Sequence, residues 1–537
     1  MTAREVAGIV AGAPPRAFAS ARALPAPIAL AATWDPALIR EAYAAAAHSL
    51  RAQGVRAVLG PSLEVARDPR RGRPEESFGE DAYLVGELGV AAIDGLQSAA
   101  DGAPLVAVAT GYAGPPLPRD GAGTAPMSER ELRQVFLAPY AQAIARAQLA
   151  AIEPARNAIG GIPSHANRHL LAELLRGELH FQGAVVAERD GIDDLAGVYR
   201  VAANADDAAR LAMAAGVDVI APAAEAARIE VPDALALRAA TRAITLLKND
   251  GVLPLVPSGS VRPTIAVVAL GNAYAIAKAI RDQAQGRAEI GEIDAADRIV
   301  VVAGSDAPEG RLRALLDATP RRKVIVVLAG DRPALDAAVA DRASALLAAW
   351  ALGNAGPRAV AAVLFGDAEP GGKLPVTIAR SPGQLPLFHD AKPSSRRGYL
   401  FGPSEPLFPF GWGLSYTTFD IGPPRVSAAD VDRSGSVTVS VDVRNTGARA
   451  GDATIQLYVH AKVSSVTRAA RSLAGFERVS LAAGERRTVT LTLAMSRLAL
   501  WNGSMQRVVE PGEYEVLTGP DSAHLQSASL NVTGGAR

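Results

Sequence analysis

Residues 66–84 read ARDPRRGRPEESFGEDAYL, a segment that concentrates arginine and carboxylate residues in a loop broken by glycine and proline. Guanidinium groups bind carboxylates and pairs of hydroxyls with fixed geometry, so Arg70 and Arg73 suit a polyhydroxylated ligand. Asp68 and Glu80 are expected to be their acidic partners within the loop. A network of surface ion pairs is the alternative interpretation, and the loop alone does not decide between the two.

The composition describes a chain that is too long for a single hydrophobic core. Its 537 residues predict a protein of two to four domains. The 55 basic and 55 acidic residues balance, which gives no indication of a nucleic acid or an anionic membrane as partner. Charges interrupt every apolar run, so we expect a soluble protein without a membrane span. Cysteine is absent, which excludes disulfides and thiolate metal sites.

Short apolar strands alternate with alanine-rich helical stretches between Pro25 and Pro222. This alternation is typical of successive βα units. When such units build a barrel, the chemistry lies at the carboxyl ends of the strands. The strands are predicted at residues 55–59, 105–109, 150–153, 184–187 and 217–221.

Four further segments resemble a known family. They are residues 25–36, 127–133, 157–167 and 170–186, the last of which ends in the strand AVV. Together with the arginine-rich loop, they match the order and spacing of sequences in glycoside hydrolase family 3. The resemblance extends from about Pro25 to the C-terminus. It implies the fold of three-domain β-glucosidases and β-xylosidases, with a strand at residues 25–36 that ends in a Trp-Asp turn.

The resemblance implies a first domain at residues 1–222 that contains a (β/α)8 barrel. Only about two dozen residues precede Pro25, where the family has a longer segment, so we expect the barrel to be incomplete. Residues 223–405 are expected to form an α/β sandwich. Its predicted strands are continuous apolar runs at residues 264–270, 298–303 and 323–329.

Residues 406–537 are expected to form a third domain. Apolar and polar residues alternate strictly at residues 437–443 and 487–493, and Asn445 to Gly447 provide a turn. This pattern predicts a fibronectin type III-like β-sandwich. Its few aromatic residues suit a core, which favours a structural role for this domain.

Retaining glycosidases need a carboxylate nucleophile that faces a carboxylic acid at roughly 5–5.5 Å. The resemblance implies that Glu188 occupies the position of the nucleophile, which is normally an aspartate. The longer side chain adds one C–C bond of roughly 1.5 Å, and a misplacement of about 1 Å costs on the order of a hundredfold in rate. Asp190 is the alternative nucleophile if the loop shifts. A structural ion pair between Glu188 and Arg189 is the competing interpretation.

Other positions depart from the family as well. Thr110 and Gly111 stand where the family has a Lys-His pair that donates hydrogen bonds to sugar hydroxyls. Glu153 and Arg156 replace an apolar residue and an aromatic residue, and we expect them to form an ion pair that fills the old pocket. The expected substrate-binding residues are Arg70, Arg73, Thr110 and Asn157.

The acid/base residue is expected at Glu309, because Pro308 to Arg311 resembles the Glu-Gly run that carries it in some family members. A solvated loop glutamate is the alternative. His165 and His169 are four residues apart without a third ligand, so they are expected on a helix surface and not at a metal. We expect neither a metal nor a cofactor.

Two functions from different classes are compatible with these residues. The first is a glycosidase scaffold with weak or lost hydrolysis of terminal β-linked sugars, using Glu188 and Glu309 on an oligosaccharide or glycoside. The second is a non-catalytic relative that binds carbohydrate or serves as a partner subunit. Its partner would be an active paralogue or a second copy that covers the open strand edge of the barrel.

The N-terminal residues bear on localisation. Met1 to Val6 place an acid ahead of a very short apolar run, so we expect no secretory signal. The expected compartment is therefore the cytoplasm. The resemblance implies the periplasm as the alternative.

Overall fold

The computed structural model describes most of the chain and divides it into two units. Unit 1 comprises Met1–Ile28 and Asp35–Ala236, and unit 2 comprises Ala29–Trp34 and Leu237–Arg537. The residues described are 2–12, 16–17, 23–98, 104–114, 124–125, 127–222, 225–226, 228–256, 261–308, 310–319, 323–330, 335–393 and 402–534.

Parallel strands organise unit 1. The strands of this unit are β1 (Arg16–Ala17), β2 (Ala57–Ser62), β3 (Val106–Tyr112), β4 (Thr124–Ala125), β5 (Ala151–Pro154), β6 (Ala158–Ile159), β7 (Ile162–Pro163), β8 (Ala184–Glu188), β9 (Val219–Ala221) and β10 (Glu225–Ala226). Seven of them form a parallel sheet, which we call sheet A, in the order β10-β1-β2-β3-β5-β8-β9. Within the described ranges no pairing closes β10 onto β9, so the described part of sheet A is an open half-barrel. Each of the five predicted strands begins within two residues of its observed start.

Helices alternate with these strands along the chain. They are α1 (Ala3–Gly12), α2 (Pro27–Ala31), α3 (Pro36–Ala52), α4 (Ala82–Leu96), α5 (Glu129–Glu131), α6 (Ala138–Ala147), α7 (Arg189–Gly197), α8 (Ala205–Ala215) and α9 (Asp233–Ala243). Two of them, α2 and α9, cross from one unit into the other. Asp35 caps α3 by accepting a hydrogen bond from the Leu38 amide at 2.9 Å, and Asp81 caps α4 in the same way. Among the described residues, no helix has the length and apolarity needed to cross a bilayer.

Helix α1 packs on one face of sheet A. Val6 and Val10 are fully buried in a cluster with residues of β2, β3, β5, β8 and β9. On β3 and β8 the cluster takes alternate residues, Val106 with Val108 and Ala184 with Val186. Alternate residues of a strand point to the same face, so α1 fills the face of sheet A from which these side chains project.

The prediction of a strand at residues 25–36 is wrong. Pro27–Ala31 forms helix α2, and the Trp34 amide donates to the Ala31 carbonyl at 3.0 Å. The Trp34 ring is buried in unit 2 between Phe410 and Phe476, with ring centroids 5.2 and 5.1 Å away. A short apolar run does not distinguish a strand from a buried helix by periodicity, and the alanines in this run favour the helix.

The first part of unit 2 is a six-stranded sheet with the predicted apolar strands at its centre. The strands are β11 (Thr245–Asn249), β12 (Thr264–Leu270), β13 (Glu289–Ile290), β14 (Arg298–Ala303), β15 (Lys323–Leu328) and β16 (Ala345–Ala348). The helices are α10 (Tyr274–Gln283), α11 (Arg311–Ala318), α12 (Ala337–Arg342) and α13 (Gly356–Leu364). The order is β11-β16-β15-β14-β12-β13, and only β11 runs antiparallel to its neighbour.

The second part of unit 2 is the expected β-sandwich. Its strands are β17 (Phe419–Ile421), β18 (Arg425–Val426), β19 (Asp430–Asp432), β20 (Ser436–Asn445), β21 (Gly451–Ala461), β22 (Ser472–Leu481), β23 (Arg486–Ala494), β24 (Leu500–Trp501), β25 (Arg507–Val508), β26 (Gly512–Gly519) and β27 (Gln526–Thr533). One sheet combines β17, β18, β20 and β23, and the other has the order β19-β27-β26-β21-β22. Val437, Val439, Val441 and Val443 of β20 enter the common core, as the predicted alternation requires.

The packing of α1 predicts the effect of shortening its buried side chains. The double substitution Val6→Ala and Val10→Ala removes four methyl groups from a fully buried cluster. We expect it to lower the free energy of unfolding by about 3–5 kcal/mol, measured as a fall in the melting temperature. The control is Arg4→Ala on the exposed face of the same helix, which leaves the melting temperature unchanged. An equal effect of both variants would contradict the burial of α1.

Candidate active site

Glutamates collect where the strands of sheet A end. Glu153 lies in β5, Glu188 is the last residue of β8, and Glu64 follows β2 by two residues. Parallel strands bring their carboxyl ends to the same edge of a sheet, and this edge carries the chemistry in barrels of this type. Glu76 joins the group from the arginine-rich loop, since its charge acts on both Glu64 and Glu153. We call Glu64, Glu76, Glu153 and Glu188 the carboxyl cluster.

Burial dominates the electrostatics of the cluster. Burial and then the charge of Glu76 raise the pKa of Glu64 to about 8, against the opposing charge of Arg73. Burial, followed by the charges of Glu188 and Glu64, raises the pKa of Glu153 well above its ordinary value. These carboxyls lack the solvation that favours ionisation, so Glu64 and Glu153 both ionise less readily than an ordinary glutamate.

Glu188 shares this environment. Burial is the largest cause that raises its pKa, and the neighbouring charge of Asp190 adds to it. Arg156 and Arg73 oppose the increase. The side chain at the predicted nucleophile position therefore ionises less readily than an ordinary glutamate. Asp190, the alternative nucleophile, lies on α7 with 69% of its side chain exposed.

Arg156 directs its hydrogen bonds away from the cluster. Its Nε donates to Asp194 Oδ2 at 2.9 Å. Nη2 forms an ion pair with the same oxygen at 2.8 Å, and Nη1 lies 3.8 Å from Asp190. The expected ion pair between Glu153 and Arg156 is thus wrong, because Asp194 of α7 takes the guanidinium. Within the part of the chain that the structure describes, the Glu153 side chain makes no hydrogen bond or ion pair.

Gly111 explains how Glu64 enters the site. This glycine has a φ of 81°, and a Cβ atom built on it would lie 2.7 Å from Glu64 Cδ. A histidine at this position, as in the Lys-His pair of the family, would therefore collide with Glu64. Next to it, the Thr110 carbonyl accepts a hydrogen bond from the Tyr140 hydroxyl at 2.6 Å. Neither Glu64 nor Glu76 was a candidate from sequence, because a single glutamate in a loop carries no periodic signal.

The two predicted arginines of the loop have different surroundings. Arg70 donates twice to Asp68, at 2.8 Å each. Arg73 donates to Glu76 at 2.9 Å, and its charge also acts on Glu188. The structure therefore brings Arg73 to the carboxyl cluster, whereas Arg70 is held by the backbone and side chain of its own turn.

Asn157 and His165 are buried beside the cluster. The Asn157 amide donates to the Ala113 carbonyl at 3.2 Å and accepts from Ser164 Oγ at 2.5 Å, so its polar atoms already have partners in the chain. The expectation of a helix-surface position is wrong for His165. Burial, with a smaller effect of Arg156, lowers the pKa of this imidazole to about 4.

His169 is exposed, and its ring nitrogens lie 3.0 Å from Glu129 and 2.8 Å from Glu173. No group of His, Asp and Glu residues suited to a metal ion occurs in the described ranges. Glu309, the predicted acid/base residue, lies outside the described residues. Its role therefore stays a prediction.

Three family models match successive parts of the chain. Residues 9–245 match the glycosyl hydrolase family 3 N terminal domain. Residues 244–416 match the glycosyl hydrolase family 3 C-terminal domain. Residues 453–522 match the fibronectin type III-like domain.

Curated proteins and solved structures are similar over nearly the full length. A β-xylosidase of Formosa agariphila is 32% identical over 95% of this chain and 87% of that protein. A periplasmic β-glucosidase of Salmonella typhimurium is 28% identical over 95% and 84%. A β-glucosidase structure from Erythrobacter marinus has a TM-score of 0.86 at 27% identity, covering 96% of this chain and 86% of that one. A Listeria innocua β-glucosidase in complex with glucose has a TM-score of 0.86 at 25% identity, with the same coverage.

The matches to the N-terminal and C-terminal domain models, and to relatives along most of their own length, lead to one assignment: the chain belongs to glycoside hydrolase family 3.

Proposed function

We propose that this protein is a β-glucosidase- or β-xylosidase-type scaffold whose hydrolysis of terminal β-linked sugars is weak or lost. The observation that carries the proposal is the state of Glu188, a half-buried carboxyl whose pKa is raised by burial and by Asp190. A retaining glycosidase needs an ionised carboxylate at the nucleophile position. A longer side chain with a raised pKa at that position opposes the first chemical step in both charge and reach.

The surroundings of Glu188 support the same conclusion. The space beside Gly111, where the family has a hydroxyl donor, is taken by Glu64. Glu153 adds a second buried carboxyl, and Asp194 holds the guanidinium of Arg156. Compared with the family, the proposed sugar site therefore lacks hydrogen-bond donors, and the side chains of Glu64 and Glu153 occupy part of its space. Less binding energy is then left to stabilise the transition state.

The relatives support the substrate class. The similar curated proteins are named β-xylosidases and β-glucosidases, so the proposed ligand is a terminal β-linked sugar of an oligosaccharide or glycoside. Arg73 is the loop arginine that we propose for contact with this sugar, because its charge acts within the carboxyl cluster. The proposed acid/base residue remains Glu309.

The second candidate function is a non-catalytic carbohydrate-binding or partner subunit. The amide of Asn157, a predicted sugar ligand, already bonds to Ala113 and Ser164, which favours the partner-subunit form of this candidate over sugar binding. The two candidates differ in a measurable way. The first retains a slow turnover that depends on Glu188, and the second has binding without turnover.

Steady-state assays test the proposal directly. We expect hydrolysis of aryl β-glucosides and β-xylosides with kcat below about 1 s⁻¹, the lower end of the usual enzyme range. Glu188→Gln removes the remaining turnover, whereas the control Asp193→Asn, an exposed carboxylate of the same helix, leaves it unchanged. A kcat of about 10 s⁻¹ or more would refute weak hydrolysis. Calorimetric binding without turnover would favour the second candidate.

Shortening Glu188 to the family's aspartate distinguishes the effect of side-chain length on the rate from the effect of the buried surroundings. We expect Glu188→Asp to give no gain in rate, because burial and the charge of Asp190, which raise the pKa of this carboxyl, are unchanged. The measurement combines steady-state rates with intact-protein mass spectrometry after incubation with a 2-fluoro sugar. A clear gain in rate, or a stoichiometric adduct on this variant, would show that side-chain length alone limited the enzyme.

Glu64 predicts a pH-dependent change in stability. Its pKa is about 8 in the folded protein against 4.5 ordinarily, so its contribution to stability is full below about pH 4.5 and is lost as the pH rises through about 8. Glu64→Gln cannot ionise, and we expect its melting temperature to exceed that of the wild type by more at pH 9 than at pH 5. The exposed Glu230→Gln is the control. An equal difference at both pH values would argue against a buried Glu64.

A further inference from the structure

His169 connects two segments of unit 1 that lie far apart in sequence. Its Nε2 lies 3.0 Å from Glu129 Oε1, a residue of α5 that is forty positions earlier. Its Nδ1 lies 2.8 Å from Glu173 Oε2. His169 and Glu173 belong to the same helix, His169–Glu178, so the imidazole links this helix to α5.

The number of hydrogen bonds in this link depends on the charge of the imidazole. A carboxylate only accepts hydrogen bonds, and a neutral imidazole donates only one. Both contacts are hydrogen bonds only when both ring nitrogens carry a proton. In the neutral form, one nitrogen directs its lone pair at a carboxylate oxygen. The Glu173 contact is shorter and lies within one helix, so the Glu129 contact is the one that is lost.

Neighbouring charges keep both carboxylates ionised. Burial alone would raise the pKa of Glu129, but His169 and Arg133 hold it below its ordinary value. His169 and Arg168 lower the pKa of Glu173. In turn, the hydrogen bonds to Glu173 and Glu129 raise the pKa of His169 above its ordinary 6.5. The imidazolium therefore persists to a higher pH than in an ordinary histidine.

A second ion pair joins the same two segments. Arg133, with 11% of its side chain exposed, donates to Glu129 and to Glu178, from Nε at 3.2 Å and from Nη2 at 3.1 Å. We call the connected side chains the His169 network: Glu129, Arg133, Arg168, His169, Glu173 and Glu178. Its three glutamates balance its two arginines only when the histidine supplies a third positive charge.

Other elements also pack near the His169 network. Tyr112 lies close to it, and burial raises the pKa of this hydroxyl, so it does not titrate near neutral pH. Helix α8 packs against helix His169–Glu178 beside the buried Leu171. Glu129 and Glu173 carry the charges that act on the imidazole. The protonation of the network near neutral pH is therefore set by the histidine.

The network lies next to the small sheet β4-β6-β7 of unit 1. Glu129 follows β4 by four residues, and His169 follows β7 by six. The ladder between β4 and β6 is only two residues long. So short a ladder contributes little stability on its own, and the His169 network is placed to stabilise the pairing of β4.

This small sheet also borders the candidate site. Asn157 directly precedes β6, and its side chain accepts a hydrogen bond from Ser164, which directly follows β7. The pairing of β4 with β6 begins at the residue after Asn157. A loosened β4 would therefore expose this edge of the site.

We propose that His169 is a pH-sensitive clamp on the sheet β4-β6-β7. The imidazolium holds α5, and β4 with it, against helix His169–Glu178, and the neutral imidazole releases Glu129. Because the pKa of His169 is raised in the folded protein, the clamp contributes fully to stability below about pH 6.5, and this contribution is lost as the pH rises through the raised pKa. The proposal is independent of hydrolysis, because none of these residues is in the carboxyl cluster.

NMR titration of histidine-labelled protein tests the charge of the clamp. The resonance of His169 is identified as the one that is missing in His169→Gln. We expect its chemical shift to titrate with a midpoint above the ordinary 6.5. A midpoint at or below 6.5 would overturn the proposal, because the imidazole would then gain nothing from the two carboxylates.

Hydrogen exchange followed by mass spectrometry tests the clamp itself. The protection of residues 124–136 and 157–163 is compared at about pH 5.5 and about pH 8.5, after correction for intrinsic exchange rates. We expect the wild type to lose at least about threefold more protection between these pH values than His169→Gln, since one charge-assisted contact is lost only in the wild type. Glu64 also ionises in this range, but it is present in both proteins, so the comparison cancels its effect. Equal losses would contradict the clamp.

Two further variants distinguish charge from structure. His169→Arg stays positively charged and can donate to both glutamates, so we expect its loss of protection to be as small as that of His169→Gln. His180→Gln, which replaces an exposed histidine of the same unit, is the matched control and should respond to pH like the wild type. If His169→Arg loses as much protection as the wild type, the charge of the imidazole is not the switch and the proposal fails.

Discussion

Parallel pairing of the strands in sheet A is the constraint on which the site of unit 1 depends. The register aligns Ala57 with Val106, Val108 with Ala151, and Ala151 with Ala184, so consecutive strands deliver their carboxyl ends to one edge. Residues that are nearly a hundred positions apart in sequence become electrostatic neighbours there. The charges of Glu188 and Glu64 both act there on Glu153.

Because of this constraint, the pKa of one carboxyl depends on the charges of its neighbours. The pKa of Glu153 is raised by burial first and then by the charges of Glu188 and Glu64. Neighbouring carboxyls in a desolvated space do not all ionise together. Gly111 is part of the same arrangement, because only a residue without Cβ leaves room for the Glu64 side chain. The departures from the family at positions 111 and 188 are therefore connected: Gly111 leaves room for Glu64, and Glu64 and Glu188 both raise the pKa of Glu153.

Sequence patterns predicted the strands well and the site incompletely, for separate physical reasons. Runs such as Val106 to Ala109 and Ala184 to Ala187 combine an apolar stretch with a position in a βα repeat, and both became strands. The run at Pro27–Ala31 has the same apolar character but became a helix, because periodicity over five residues is ambiguous.

The site depended on information that local sequence does not contain. Glu64 gives no signal in its loop, since the space for its side chain depends on Gly111, which is forty-seven positions later. The partner of Arg156 was also not predictable. Glu153 is close to it in sequence, but Asp194 is the group that α7 brings within hydrogen-bonding distance. Proximity in sequence is a poor guide where a parallel sheet and its helices set the contacts.

Helix α7 connects these observations. It begins directly after Glu188, which is its N-cap residue but makes no capping hydrogen bond with its side chain. One to two turns later it presents Asp194, which accepts a hydrogen bond from Arg156 Nε and forms an ion pair with its Nη2. Arg156 would favour the ionised form of Glu188 most strongly if it bonded to that carboxylate directly. The helix that positions Glu188 therefore also holds the cation that would best keep it charged, and the remaining long-range effect of Arg156 does not overcome burial.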